Sequence, residues 1–289
     1  MNKVGFIFDS TAVIADDLME EYGFVFVPLN VTLDGVTYVN ADVFDEEYME
    51  KFLNSKKIST SSPSPQQFLD TYKEELAKGY EDIIVLPLSS KLSSTYQSAL
   101  MARDMLGDKE KEQIHVLDTL NASIGYDTLF ESLRDDLKKD LSVEELIAKI
   151  NHHNENSMVI FEVEELKYLH NGGRLGKISY YVGDFLKIKP VIKFREGYMK
   201  VIATNRSRHR NVELILNKIV ELIENQKEIF INYFHFGSEA TTQALQKITS
   251  TLKEKFSNIR IKEAKCIDPV FMSHVGVKGF GLSVCAYSN

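Results

Sequence analysis

The chain has 289 residues, 44% of them apolar and 26% charged, and a net charge of -8. That length suits two domains rather than one, and the acidic balance excludes the broad basic surface of a nucleic-acid binder. Its two cysteines, Cys266 and Cys285, exclude a disulfide scaffold and show no metal spacing, so a reduced, cytoplasmic setting is expected.

The opening MNKVGFIFDSTA has an apolar run that stops at Asp9. That is too short for a secretory signal. No apolar stretch approaches a bilayer span, so no stable membrane insertion is expected. VGFIFD (4–9) reads as a buried strand and DDLMEEYG (16–23) as a helix closed by Gly23. FVFVPLNVTLDGVTYV (24–39) reads as a strand and then a hairpin turning at Asp34-Gly35. DEEYMEKFLN (45–54) is helical. The next helix, within 62–79, has Pro65 in its first turn and Gly79 past its end.

IIVLPL (83–88) predicts a strand, with a helix from about Ser93 to Leu106. IHVLDT (114–119) predicts another strand, with a helix after it through Lys139. Ser142 and Glu145 form a capping box for the helix that follows. Strands alternating with helices predict a parallel sheet with crossovers.

The polar stretch NHHNENS (151–157) separates the halves, giving an expected boundary between 1–155 and 156–289. The second half opens on the strand SMVIFEV and a helix, EELKYLHNGG, ending in two glycines. Two strands turn about Glu196-Gly197. Helices near 207–225 and 238–256 flank the strand IFINYFHFG (229–237). IRIKEAKCI (259–267) and GLSVCAY are the closing strands. The fold class expected is α/β, with two α/β domains.

Chemistry concentrates at turns. PLSSKLSSTYQSALMA (87–102) places Ser89, Ser90, Ser93, Ser94 and Thr95 where a strand enters a helix. Unpaired N–H groups and the helix dipole favour an anion there, although a plain N-cap explains one serine. ISTSSPSPQQF (58–68) repeats the pattern with Thr60, Ser61, Ser62 and Ser64. Two such turns could share one anion. Asp9 and Asp118 also follow strands, but neither has a partner at ligand spacing, so turn roles are expected.

His274 lies in MSHVGVKGFG, read as a glycine-rich loop, and can donate, accept or carry charge. Gly172 and Gly173 end a helix, and Arg174 after them suits the surface or the domain seam. NRSRHR (205–210) holds Arg206, Arg208 and Arg210; a solvated face is its ordinary reading, and docking to an acidic partner or a phosphate its sharper one. A serine hydrolase or acyltransferase with Ser93 as nucleophile and His274 as base is the alternative. However, Gly-x-Ser-x-Gly is absent around Ser93 and no acid is placed to orient His274. A sensor or interaction module acting through NRSRHR is a third reading.

TSSPSP (60–65), SKLSSTYQSA (90–99), LKYLHNGGR with GDFLKIKPVI, and HVGVKGFG occur in that order. Together they resemble the DegV family of bacterial lipid-binding proteins, whose kinase-coupled members are the FakB subunits. The resemblance spans essentially the whole chain. It implies a fatty acid, such as palmitate, stearate or oleate, lying between the domains. It implies a carboxylate held by Thr60 and Ser93, with His274 close by and Ser61, Ser62 and Ser94 adjoining. It also implies a non-catalytic protein, without cofactor or metal, that presents the acid to a separate kinase, FakA, for acyl-phosphate formation and phospholipid synthesis. Arg174, Arg206, Arg208 and Arg210 are the candidates for partner docking. The chain departs from the family pattern at Lys91 and Ser94, where small residues are usual, and it lacks the proline of the histidine loop.

Magnitudes divide the labour. Burying roughly fourteen methylenes at about 0.8 kcal/mol each gives an upper figure of about 11 kcal/mol. A hydrogen bond to a charged group adds about 1.5–3 kcal/mol. The tail would supply affinity, and the hydroxyls would fix orientation.

Overall fold

The structure is a computed structural model that describes residues 4–14, 16–39, 45–174, 188–236, 238–264 and 268–288. Strand β1 (Val4–Asp9) pairs in parallel with β2 (Val25–Val27) and β6 (Asp82–Leu86), and β6 pairs with β7 (Ile114–Val116), giving the order β2-β1-β6-β7. A parallel sheet is covered on both faces, so its strands read as continuous apolar runs. One face packs Ile7, Val27 and Val85 against Phe68 and Tyr72 of α3 (Pro65–Ala77) and Ala99 of α4 (Thr95–Asp104). The other packs Phe6, Phe8 and Ile84 against Tyr126 and Phe130 of α6 (Ile124–Leu133) and Ile150 of α7 (Val143–Glu155). Helix α1 (Asp16–Tyr22) joins β1 to β2, and α5 (Asp108–Glu112), which the sequence reading did not anticipate, follows α4.

Between β2 and β6 lies a small antiparallel sheet, β4-β3-β5, made of β3 (Asn30–Leu33), β4 (Val36–Val39) and β5 (Ile58–Ser61). Its hairpin turns at Asp34 and Gly35, with φ of 47° and 92°. Two positive φ values make a type I′ turn, which suits Asp-Gly. The Asp34 carboxylate accepts from the backbone N–H of Lys57 at 2.8 Å, fastening the start of β5. Helix α2 (Glu46–Asn54), capped by Asp45, lays Tyr48 and Phe52 into the same core.

The second half builds a six-stranded sheet, β10-β9-β8-β13-β11-β12. Its strands are β8 (Ser157–Val163), β9 (Lys189–Arg195), β10 (Tyr198–Asn205), β11 (Glu228–Phe236), β12 (Ile259–Glu263) and β13 (Gly279–Tyr287). All its pairings are antiparallel except β11 with β12. Helices α9 (Arg208–Ile223) and α10 (Glu239–Lys255) cover one face with Ile215, Ile219, Leu245 and Ile248. The opposite face carries Val159, Phe161 and Phe234 into a core shared with Leu29, Val31, Phe52 and Leu88 of the first half. Helix α6 also packs on β8, β11 and β13. Strand β8 is buried along its whole length as a result.

Three expectations shift. The helix after β7 stops at Leu133, and 134–139 form tight turns in which the N–H groups of Asp136 and Leu137 both bond the Leu133 carbonyl. The strand expected over 259–267 ends at Glu263, and 265–267 lie outside the described residues. The loop around His274 is helix α11 (Pro269–Val275): Asp268 caps it by accepting from Phe271 N–H at 2.8 Å, and Pro269 is its first residue. The first half of the GDFLKIKPVI match, 183–187, also lies outside the described residues. Among the described residues, no helix is long and apolar enough to cross a membrane.

Candidate functional site

The two hydroxyl-rich turns meet. On β5, alternation sends Thr60 to the same side as Ile58, toward the shared core. Beyond the strand, Ser62 Oγ lies 2.8 Å from Ser93 Oγ and 3.0 Å from Ser94 Oγ. Ser93 Oγ lies 2.9 Å from Thr95 Oγ1 and accepts from Thr95 N–H at 3.3 Å. Ser94 is the N-cap of α4, yet its side chain makes no capping bond. Its hydroxyl faces Ser62 instead.

His274 completes the group. Its Nε2 is 3.0 Å from Thr60 Oγ1, and its ring lies over Gly172 at the end of α8 (Leu166–Gly172). A Cβ on Gly172 would fall 2.5 Å from His274 Nδ1, so glycine is what admits the imidazole. Gly276, with φ of 85°, lets Tyr168 approach in the same way, and Tyr168 stacks on Phe52 at 5.8 Å. The LKYLHNGG and HVG runs are therefore two faces of one close contact. Burial, with the Arg174 guanidinium adding to it, pushes the His274 pKa down to about 4, so the ring is neutral at pH 7.

These groups line a cleft. Thr60, Ser61, Ser62, Ser93, His274 and Arg174 form the polar part. Leu29, Leu88, Leu92, Ala122, Met199, Val270 and Phe271 form the apolar part. A few convergent polar groups in a concavity otherwise lined by apolar side chains describe a small-ligand site.

Asp9 holds the floor in place. It is fully buried and accepts from the N–H groups of Thr11 and Leu88 and from the Thr11 hydroxyl. Burial raises its pKa. Asp118 accepts from Ser90 N–H and Leu120 N–H, each at 3.1 Å. Both aspartates serve turns, and among the described residues no cluster of acidic, histidine or cysteine side chains could hold a metal.

The arginines separate. Arg174 bonds the Gly172 carbonyl at 2.7 Å and the Leu92 carbonyl at 3.3 Å, on the rim of the cleft. Arg206 and Arg210 are exposed and away from the cleft. Arg208 corrects the docking expectation: it turns inward, 2.8 Å from buried Glu162 and paired also with Glu164. Asn211 donates to Glu162 as well, so this guanidinium neutralises an interior carboxylate and is not free for a partner.

No hydrogen bond joins Ser93 to His274: the imidazole bonds Thr60, and Ser93 bonds Ser62 and Thr95. Sequence reasoning missed Thr11, Leu92, Met199 and the lining role of Arg174. The DST motif pointed to Asp9, whereas its threonine reaches the cleft.

Fold and site together define a three-sheet α/β protein with a small-ligand cleft lined by hydroxyl-bearing and apolar side chains. The chain belongs to the DegV family, described as uncharacterised proteins, whose sequence model matches residues 3–287. A DegV domain-containing protein of Staphylococcus aureus is 27% identical over 285 residues, covering 98% of this chain and 99% of its own. A DegV family protein of Thermus thermophilus, reported for its fatty acid binding, superimposes with a TM-score of 0.84 at 26% identity, covering 98% and 99% of the two chains. The Streptococcus pneumoniae fatty acid kinase B3 protein, loaded with linoleic acid, shares the fold with a TM-score of 0.82 at 22% identity, covering 98% and 99%.

Proposed function

We propose that this protein binds a long-chain fatty acid and carries it without transforming it. The carboxylate sits among Thr60, Ser93 and His274, with Ser61, Ser62 and Ser94 completing the hydroxyl set. The tail lies between a head-group unit, residues 1–155, and a covering unit, residues 156–289. The observation that carries this reading is one cleft lined both by a bonded hydroxyl-and-imidazole cluster and by apolar side chains. A buried carboxylate needs such donors, and an acyl chain needs the rest. The fatty acid binding reported for the Thermus relative supports it.

The bound acid is then presented to a separate ATP-dependent fatty acid kinase of the FakA type in the cytoplasm, where acyl phosphate enters phospholipid synthesis. That step is supported by the family motifs; the pneumococcal likeness is one of fold. Mass spectrometry of an organic extract of the purified protein tests the lipid reading. One long-chain fatty acid per chain is the expected result. Folded protein free of lipid that binds no added palmitate contradicts it.

A further inference from the structure

In the serine turn, the Ser89 carbonyl accepts from Ser93 N–H at 3.2 Å, but its side chain bonds outside the hydroxyl cluster. It is fully buried. Its Oγ donates to the Gly197 carbonyl at 3.0 Å, at the tip of the β9–β10 hairpin, and accepts from Lys91 N–H at 3.2 Å. Gly197 has φ of 81°, and a Cβ there would meet Ser89 Oγ at 2.8 Å and Lys91 Cγ at 3.0 Å. The hairpin tip is thus seated on the turn more closely than any side chain permits.

The next two hairpin residues diverge. Tyr198 is 59% exposed and contributes little to any core. Its ring instead lies beneath Lys91 Nζ, 5.8 Å from the centroid. Met199 points the other way, into the cleft. Lys91 is two residues from Ser93 in the same turn. One hairpin tip therefore touches both the turn that carries the head-group serine and the wall of the apolar part.

Building on the fatty-acid reading, we propose that Lys91 and Tyr198 are positioning residues. With the Ser89–Gly197 bond, they clamp the serine turn to the hairpin and so set where the Ser93 hydroxyl meets the carboxylate. Lys91 supplies the cation of the clamp. Ser89 and Gly197 supply its fixed point.

The test compares palmitate with methyl palmitate, which keeps the tail and lacks the charge. Tyr198→Ala should weaken palmitate about threefold, the size expected of an exposed cation–π contact, and leave the ester unchanged. Tyr198→Phe should restore wild-type binding, because the ring face remains. Lys91→Ala should weaken palmitate and add nothing further in the Tyr198→Ala background. Both sites are on the surface, so the variants should fold, and circular dichroism checks that they do. Equal losses for acid and ester, no loss for either, or additive losses overturn the clamp. Wild-type protein that binds neither ligand overturns the fatty-acid reading itself, a different result from wild-type binding that the variants match.

Discussion

Thr60 and Ser93 come from turns 33 positions apart, yet they line the same cleft, Thr60 bonded to His274 and Ser93 to Ser62. If each donates to a carboxylate, Thr60→Ala or Ser93→Ala should weaken palmitate roughly 10- to 100-fold, measured by displacement of a fluorescent fatty acid. The fold should be untouched, because both side chains are only part-buried. Asp268 offers a test of the interior. Burial raises its pKa to about 7 from an ordinary 3.8. The folded state therefore holds the proton more tightly, and stability is lost as pH rises from about 4 to 7. Asp268→Asn keeps an acceptor for Phe271 N–H and removes the charge. It should raise the urea midpoint at pH 8 by the equivalent of roughly 2–4 kcal/mol and change little at pH 4. A variant equally or less stable at pH 8 contradicts that account. The hydroxyls were legible in the sequence because hydroxyl-rich turns after apolar runs have a distinct composition. The cleft role of Met199 was not, because an apolar residue on a strand looks the same facing a core or a ligand.

Helices α8 and α11 show how an element places a side chain. Gly172 admits the imidazole, so Gly172→Ala should displace His274 from Thr60 and weaken fatty acid binding. Introducing His274→Ala as well removes the clash, so the double variant should bind no worse than His274→Ala alone. Additive losses would show that Gly172 acts elsewhere. Strand β8 and helix α9 give a second case. Arg208→Ala strands Glu162 in the interior and should lower stability by about 3–5 kcal/mol, whereas Arg206→Glu with Arg210→Glu should leave the urea midpoint unchanged. Three arginines in six residues look alike in sequence. Only the register of β8, which buries Glu162, decides that Arg208 faces in. The histidine helix was also hidden, since its seven residues, starting at Pro269 and stopping before Gly276, read as a loop. The Asp34-Gly35 and Glu196-Gly197 hairpins were readable because their turn chemistry is local.

At the scale of the molecule, the six-stranded sheet is covered by its own helices on one face and by first-half residues on the other. The shared core explains why the central strands β8 and β13 are buried almost throughout. The alternation of strands and helices made the parallel sheet legible, while the antiparallel order of the second sheet was not, because pairing of distant strands leaves no local trace. A ligand lodged in that core binds only the folded state. Palmitate at a hundredfold excess over its dissociation constant should stabilise the protein by about 2.7 kcal/mol, seen as a thermal shift of several degrees. Hexadecane, which lacks the head group, should give a smaller shift. The most direct measurement is a crystal structure of the chain with palmitate. The account predicts carboxylate oxygens within hydrogen-bond distance of Thr60 Oγ1 and Ser93 Oγ, and a tail running past Leu29 and Phe271. A carboxylate bound elsewhere, or a tail that leaves the cleft for solvent, would contradict it.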